Sequence, residues 1–376
     1  MAGVPKLSRR TRWAVPAGAL VITGAVLAGS LMSVARASPG LPPRTPAQLL
    51  ARVADSVAPP LTGTVVETTS LGLPSLPGTA NPTSIASLLT GSHTVRVWYA
   101  GPRHFRLAVP EPLSETDVIA DGTTAWLWQS TANTVTEYSR PADARTPVTE
   151  PTAAPLTPQQ AAQQVLAAVG QTTTVGVDSN VTVAGQAAYE LVLAPKDSRS
   201  LIGQVQIAVD GRNGVPLRLQ LFARGASSPA FQVGYTSIQF VTPAPADLAF
   251  SPPPGAKVTK ENLGGGQPSG PQPDISTIGS GWLTVLDLPE GGPGGLVPPV
   301  AGGSGGSSPR ADTVLSALLL SATPTSGAWG SGRLLRTSLV SVLITDSGRM
   351  FVGAVQPSVL YAAAGQAATG SPAQAP

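Results

Sequence analysis

In several segments between residues 94 and 240 apolar and polar positions alternate, the period of strands with one buried face. Val95, Val97 and Tyr99 alternate with Thr94, Arg96 and Trp98; beyond a Gly101-Pro102 turn, Phe105, Leu107 and Val109 alternate with Arg106 and Ala108. This predicts a hairpin. Asp121-Gly122-Thr123 predicts a second turn, after which Trp126 and Trp128 share a face. Val181–Val183 and Tyr189–Leu193 predict a strand pair about Ala184-Gly185, and Val205–Val209 and Leu217–Leu221 another about Asp210–Gly214. Along the last strand, Phe231, Val233 and Tyr235 are out of phase with Ile238 and Phe240, so a bulge is expected near Thr236-Ser237.

The period lengthens in two places, each opened by the same device. Thr45-Pro46-Ala47-Gln48 and Thr157-Pro158-Gln159-Gln160 offer a Thr cap, Pro at the first helical position and Gln at the third. Leu49, Leu50, Val53, Ala54 and Val57 line the first predicted helix before Pro59-Pro60; Ala161, Ala162, Val165, Leu166 and Val169 line the second before Gly170. A short third helix is expected after Asn81-Pro82. Successive antiparallel strands with helices over one face give an α+β fold, a large curved antiparallel sheet, rather than alternating β-α-β units.

Phe250–Gly255 closes this first domain, expected over residues 38–260. Residues 261–280 are Gly/Pro-rich and read as a linker. Residues 281–365 then form a small α+β module with a flexible insert at 289–309: a strand over Trp282–Leu288, a helix over Thr313–Leu320, a hairpin of Leu334–Ile344 with Met350–Val355, and a helical turn at Val359–Ala364. A disordered tail is expected over 366–376.

Charge changes the picture at the N-terminus. Lys6, Arg9, Arg10 and Arg12 precede an uncharged run from Ala14 to Met32, followed by Ala35-Arg36-Ala37. Basic residues, an apolar stretch and a small-x-small site describe an export signal over residues 1–37, cleaved or kept as a signal anchor. Either way the remainder faces outward, an extracytoplasmic location. Residues 1–37 hold five of the 23 basic residues and none of the 20 acidic ones, leaving 18 against 20 in the exported part. The sequence pI near 9.4 therefore belongs to the targeting segment, and a nucleic-acid partner loses its support. Cysteine is absent, which excludes disulfides, thiol chemistry and a lipidated N-terminal cysteine.

Candidate chemistry is sparse. His93 and His104 flank the Gly101-Pro102 turn and are placed to face each other, but no further ligands stand nearby for a metal. Gly302–Gly306 matches G-x-S-x-G inside a linker, without the strand and helix a nucleophile elbow needs. No acidic pair stands out as an acid/base couple. Arg103, Arg106, Arg218 and Arg224 are candidates for an anionic headgroup, with a solvated sheet face the simpler explanation. A non-catalytic protein without cofactors is expected.

The apolar strand faces offer another role. The candidate lining of a ligand cavity is Val95, Val97, Tyr99, Phe105, Leu107, Trp126, Trp128, Tyr189, Leu191, Leu193, Val205, Ile207, Leu217, Leu219, Leu221, Phe231, Val233 and Tyr235. Burying an acyl chain of about 14–16 methylenes there contributes on the order of 10 kcal/mol before ordering costs.

Several segments, in order, resemble the LolA/RseB (MucB) superfamily, and in particular LolA-like extracytoplasmic proteins of actinobacteria. They are Gly63–Thr68, Leu71–Pro74, Gly101–Leu107, Asp121–Trp128, Tyr189–Pro195, Val205–Asp210, Pro216–Phe222, Phe231–Phe240 and Pro252–Gly255, spread over roughly residues 45–260. The resemblance implies an unclosed half-barrel whose helices form a lid over an apolar cavity. It implies a carrier of lipid or of lipoprotein acyl chains at a membrane surface, or a regulatory module that senses the envelope and binds an anti-sigma factor. It brings no catalytic residues.

Overall fold

The computed structural model describes residues 40–72, 91–139, 157–167, 170–262, 275–288 and 321–370. The chain runs through α1 (Pro46–Ala54), β1 (Leu61–Thr69), β2 (Ser92–Gly101), β3 (His104–Glu111), β4 (Ser114–Asp121), β5 (Thr124–Gln129) and β6 (Thr134–Ser139). Helix α2 (Pro158–Ala167) precedes β7 (Thr173–Val177), β8 (Val181–Val183), β9 (Gln186–Pro195), β10 (Ile202–Asp210), β11 (Pro216–Ala223) and β12 (Pro229–Gln239). Then come α3 (Pro245–Leu248), β13 (Lys257–Asn262), β14 (Ser276–Ile278), β15 (Val285–Leu288), β16 (Thr323–Gly327), β17 (Gly330–Arg336), β18 (Ser341–Thr345), β19 (Met350–Gly353) and α4 (Pro357–Gly370).

Strands β1–β13 form one unclosed sheet in the order β13-β6-β5-β4-β3-β2-β1-β12-β11-β10-β9-β7, with β8 on β9. It consists of two meanders, β1–β6 and β7–β12, joined where β1 pairs β12. All its pairings are antiparallel except that of β13 with β6. The expected large antiparallel sheet with few helices is present, accompanied by a second sheet in the order β14-β15-β19-β18-β17-β16. The bulge lies where the phase change placed it: Thr64 pairs Ser237 while Val65 pairs Tyr235, so Thr236 is the extra residue.

Both capping boxes form. Thr45 Oγ1 accepts from Gln48 N at 3.3 Å while Thr45 N donates to Gln48 Oε1 at 2.9 Å. Gln160 N reaches Thr157 Oγ1 at 3.3 Å, and Thr157 N reaches Gln160 Oε1 at 2.8 Å. Helix α1 buries Leu49 and Val53 but ends at Ala54, capped by Asp55, so Val57 leaves the stripe and is exposed. Its Arg52 donates to the carbonyls of Gly211 and Arg212 in the β10–β11 turn.

The C-terminal part differs from its reading in four places. The expected strand Leu334–Ile344 is two strands, because Thr337 Oγ1 accepts from Leu339 N and Val340 N and turns the chain between β17 and β18. Trp282 sits in a 3-10 turn before β15, since Thr284 bonds back to Gly281. Ser276–Ile278, inside the expected linker, is strand β14, tied by Ser276 Oγ to Asp287 Oδ2 at 3.1 Å. Helix α4 continues past Gln366 to Gly370, where a disordered tail was expected; its alanines favour helix and no proline stops it. Residues 1–37, the helix after Pro82, Thr313–Leu320 and the insert 289–309 lie outside the described residues.

Both faces of the second sheet are apolar. Val285, Leu343 and Phe351 pack with Leu360, Ala363 and Ala364 of α4. Leu286, Leu288 and Val352 point the other way and join one continuous core with the large sheet. Main-chain bonds fasten the two sheets together: Leu201 N to Ala354 O at 2.9 Å, Gln356 N to Arg199 O at 2.7 Å and Ser338 N to Leu71 O at 3.0 Å. Trp282 Nε1 adds a bond to Thr173 Oγ1 at 2.7 Å. The apolar face of the large sheet is thus covered jointly by α1, α2 and the second sheet.

Candidate functional site

Directly opposed residues of an antiparallel pair point to the same side, so register decides which side chains meet. Val65 faces Val95 on β2 and Tyr235 on β12. Outward from β2, Val97 pairs Leu107 and Tyr99 pairs Phe105. On the other side Val233 and Phe231 pair Leu219 and Leu221, which pair Ile207 and Val205, which pair Leu191 and Leu193. Tyr189 opposes Val209, and Leu217 follows in the same alternation on β11. Sixteen of the eighteen expected residues therefore share one face across six strands. All but Tyr99, which is half-buried, are buried.

Trp126 and Trp128 do not join them. The two-residue loop Gly122-Thr123 pairs Asp121 with Thr124, which turns Ala125 and Leu127 inward and both tryptophans outward. The alternation puts the pair on one face, but only the turn decides which. On that outer face Trp126 meets Phe250 at 5.8 Å between ring centroids, where the chain crosses from β12 to β13. Trp98 stacks under the Arg106 guanidinium at 5.5 Å, and Arg106 Nε donates to Asp117 Oδ2 at 2.9 Å. Burial pushes the Asp117 carboxyl up to about 7; Arg106 pulls it down and neighbouring Glu115 pushes it further up.

The histidines do not face each other. His104 opposes Gly101 at one end of the β2–β3 hairpin and bonds Asp121 at 2.9 Å, whereas His93 lies at the far end of β2 opposite Glu67. Among the described residues no group of three or more His, Cys, Asp or Glu is placed to hold a metal. Arg218 pairs Glu190 at 2.7 Å, and Arg224 bonds the carbonyls of Ser200, Asp197 and Ile202. Among the described residues no helix is long and apolar enough to cross a membrane.

Glu67 is the functional candidate that the reading of the strands passed over. It follows Leu61, Gly63 and Val65 in the inward phase of β1, at the centre of the sheet. Its exposure is 1%, and its Oε1 has no hydrogen-bond partner among the described residues. Burial pushes its carboxyl up to about 8. The signal was in the sequence: Gly63-Thr64-Val65-Val66-Glu67-Thr68 puts a carboxyl in step with Val65. At Gly63 an added Cβ would lie 2.6 Å from Ser237 O, beside the bulge, and 3.0 Å from the Tyr235 ring, so glycine lets the tyrosine lie flat on β1.

No family model and no curated protein matches this sequence. Among solved structures the chain is similar to MucB of Pseudomonas aeruginosa in its complex with MucA, at 15% identity and a TM-score of 0.42, over 85% of this chain and 96% of that one. It is similar to a LolA-superfamily protein of Nitrosomonas europaea at 9% identity and a TM-score of 0.21, over 55% and 99%. It is likewise similar to a putative outer membrane lipoprotein-sorting protein domain of Vibrio parahaemolyticus, at 9% identity and a TM-score of 0.21, over 54% and 94%. These likenesses concern the fold and carry no argument about ligand, partner or activity.

Proposed function

We propose that this chain is an extracytoplasmic, non-catalytic protein that binds acyl chains of lipids or lipoproteins along the apolar face of its large sheet. The observation that carries the reading is the register, which gathers sixteen aliphatic and aromatic side chains from six strands onto one face. In the free chain that face is covered, so a guest takes the place of part of the cover. The helices are the part suited to yield. The second sheet is held by main-chain bonds, whereas α1, beyond its buried Leu49 and Val53, is hydrogen-bonded to the large sheet through the side chain of Arg52. Helices of nine and ten residues have little stability of their own.

Native mass spectrometry of the purified full chain, paired with thermal melting in the presence of acyl ligands, tests the reading. Bound lipid, or a melting temperature that rises with ligand concentration, is the expected result. A ligand-free protein whose melting ignores every acyl compound would overturn it.

A second reading, a regulatory module that binds an anti-sigma factor, draws on a different observation. Among the described residues strand β16 ends the second sheet, is mostly exposed and pairs only β17, an edge of the kind that accepts an added strand. Capture of an anti-sigma factor's outer domain by lipid-free protein would favour it.

A further inference from the structure

We propose that Glu67 is the polar anchor of the apolar face, its buried carboxyl donating a hydrogen bond to the carbonyl of an acyl ester or amide whose chain lies along the neighbouring strands. The inference rests on the acyl-binding reading and adds to it a position and a chemistry.

Three observations meet at this side chain. Glu67 lies on β1, the strand that joins the two meanders, and so sits between the two halves of the apolar face. Its layer is otherwise aliphatic toward β9: Val233 opposes Glu67, and Leu219, Ile207 and Leu191 continue the row. Its Oε1 is buried without a partner, which costs the full desolvation of that oxygen with nothing to offset it. A leucine at this position would match the row and avoid that cost.

The chemistry of the guest follows from the state of the carboxyl. Burial pushes it up to about 8, so it keeps its proton at neutral pH and donates. A carbonyl oxygen accepts that bond without bringing charge into the core. An ammonium group would require a buried ion pair, whose desolvation offsets its attraction. His93, the titratable residue directly opposite on β2, leaves Oε1 unbonded. Phe231, Val233 and Tyr235 run along one flank and Val95 and Val97 along the other, which gives an acyl chain apolar walls on both sides of the anchor.

Displacement of a fluorescent apolar probe from the full-length protein tests the anchor, with methyl laurate and dodecane as competitors. The affinity ratio of ester to alkane should be about three- to tenfold higher for the wild type than for Glu67→Leu, the worth of one hydrogen bond. Glu67→Gln, whose amide also donates, should keep the wild-type ratio. Raising the pH to about 9.5 should lower the ratio in the wild type and not in Glu67→Gln. Equal ratios in wild type and Glu67→Leu, with both competitors bound, overturn the anchor and leave acyl binding standing. Failure of both competitors to displace the probe overturns acyl binding, and the anchor with it.

Discussion

Two carboxyls, Glu67 on the inner face and Asp117 on the outer, hold their protons far more tightly in the folded chain than in the unfolded one, both chiefly because they are buried. The consequence for stability has a definite sign. A carboxyl whose folded pKa is raised contributes fully below its unfolded value near 4 and loses that contribution as pH climbs through the folded value. Stability should therefore fall between about pH 4.5 and pH 8. Thermal melts across that range should show the midpoint dropping, and Glu67→Gln should flatten the slope and melt higher than wild type at pH 8. A midpoint that rises over that interval would contradict the assignment. Arg106 does not cancel the effect at Asp117, because Oδ1 of that carboxylate is buried without a partner, as is Trp128 Nε1 on the residue directly opposite.

Among the elements, those with a strong local signal were legible and those defined by a distant partner were not. The hairpins β2–β3, β8–β9 and β10–β11 follow from alternation and turn residues, and the Thr236 bulge follows from one change of phase, whereas β4, β6 and β7 were not anticipated. Strand β13, Lys257–Asn262, carries no apolar alternation; it exists because β6 offers an edge in parallel register. Strand β16, Thr323–Gly327, which has no branched aliphatic residue, is equally silent in sequence. Within the candidate site, sixteen positions were readable because each strand announced its own face, while the outward turn of Trp126 and Trp128 depends on one hairpin loop. Helix α1 offers a test at this scale. Gly214, with φ of 79°, leaves room for the Arg52 stem where a Cβ would come within 2.8 Å. Arg52→Ala should cost about 1–2 kcal/mol and speed hydrogen exchange in α1 while leaving β10 protected. Unchanged exchange in α1 would show that Arg52 does not hold it.

For the whole molecule, the decisive feature is that the second sheet completes the first. Trp282, Leu286, Leu339, Val340 and Val352 all belong to the core of the large sheet. Each such side chain contributes about 1.5–3 kcal/mol by burial, and together they rival the total stability of a typical domain. A chain ending at Asn262 should lose its cooperative melting transition and bind hydrophobic dyes; a sharp transition at the full-length midpoint would refute this. The pairing of β1 with β12 bears on assembly as well. Each meander zips up from neighbouring hairpins, whereas Thr62 must await Gln239. Nearby closures form first and remote ones last, so two finished half-sheets stand for a time with raw borders turned to solvent. A half-sheet from another copy fits that border as well as the chain's own, and exchanged dimers are the misassembly to which this topology is most prone.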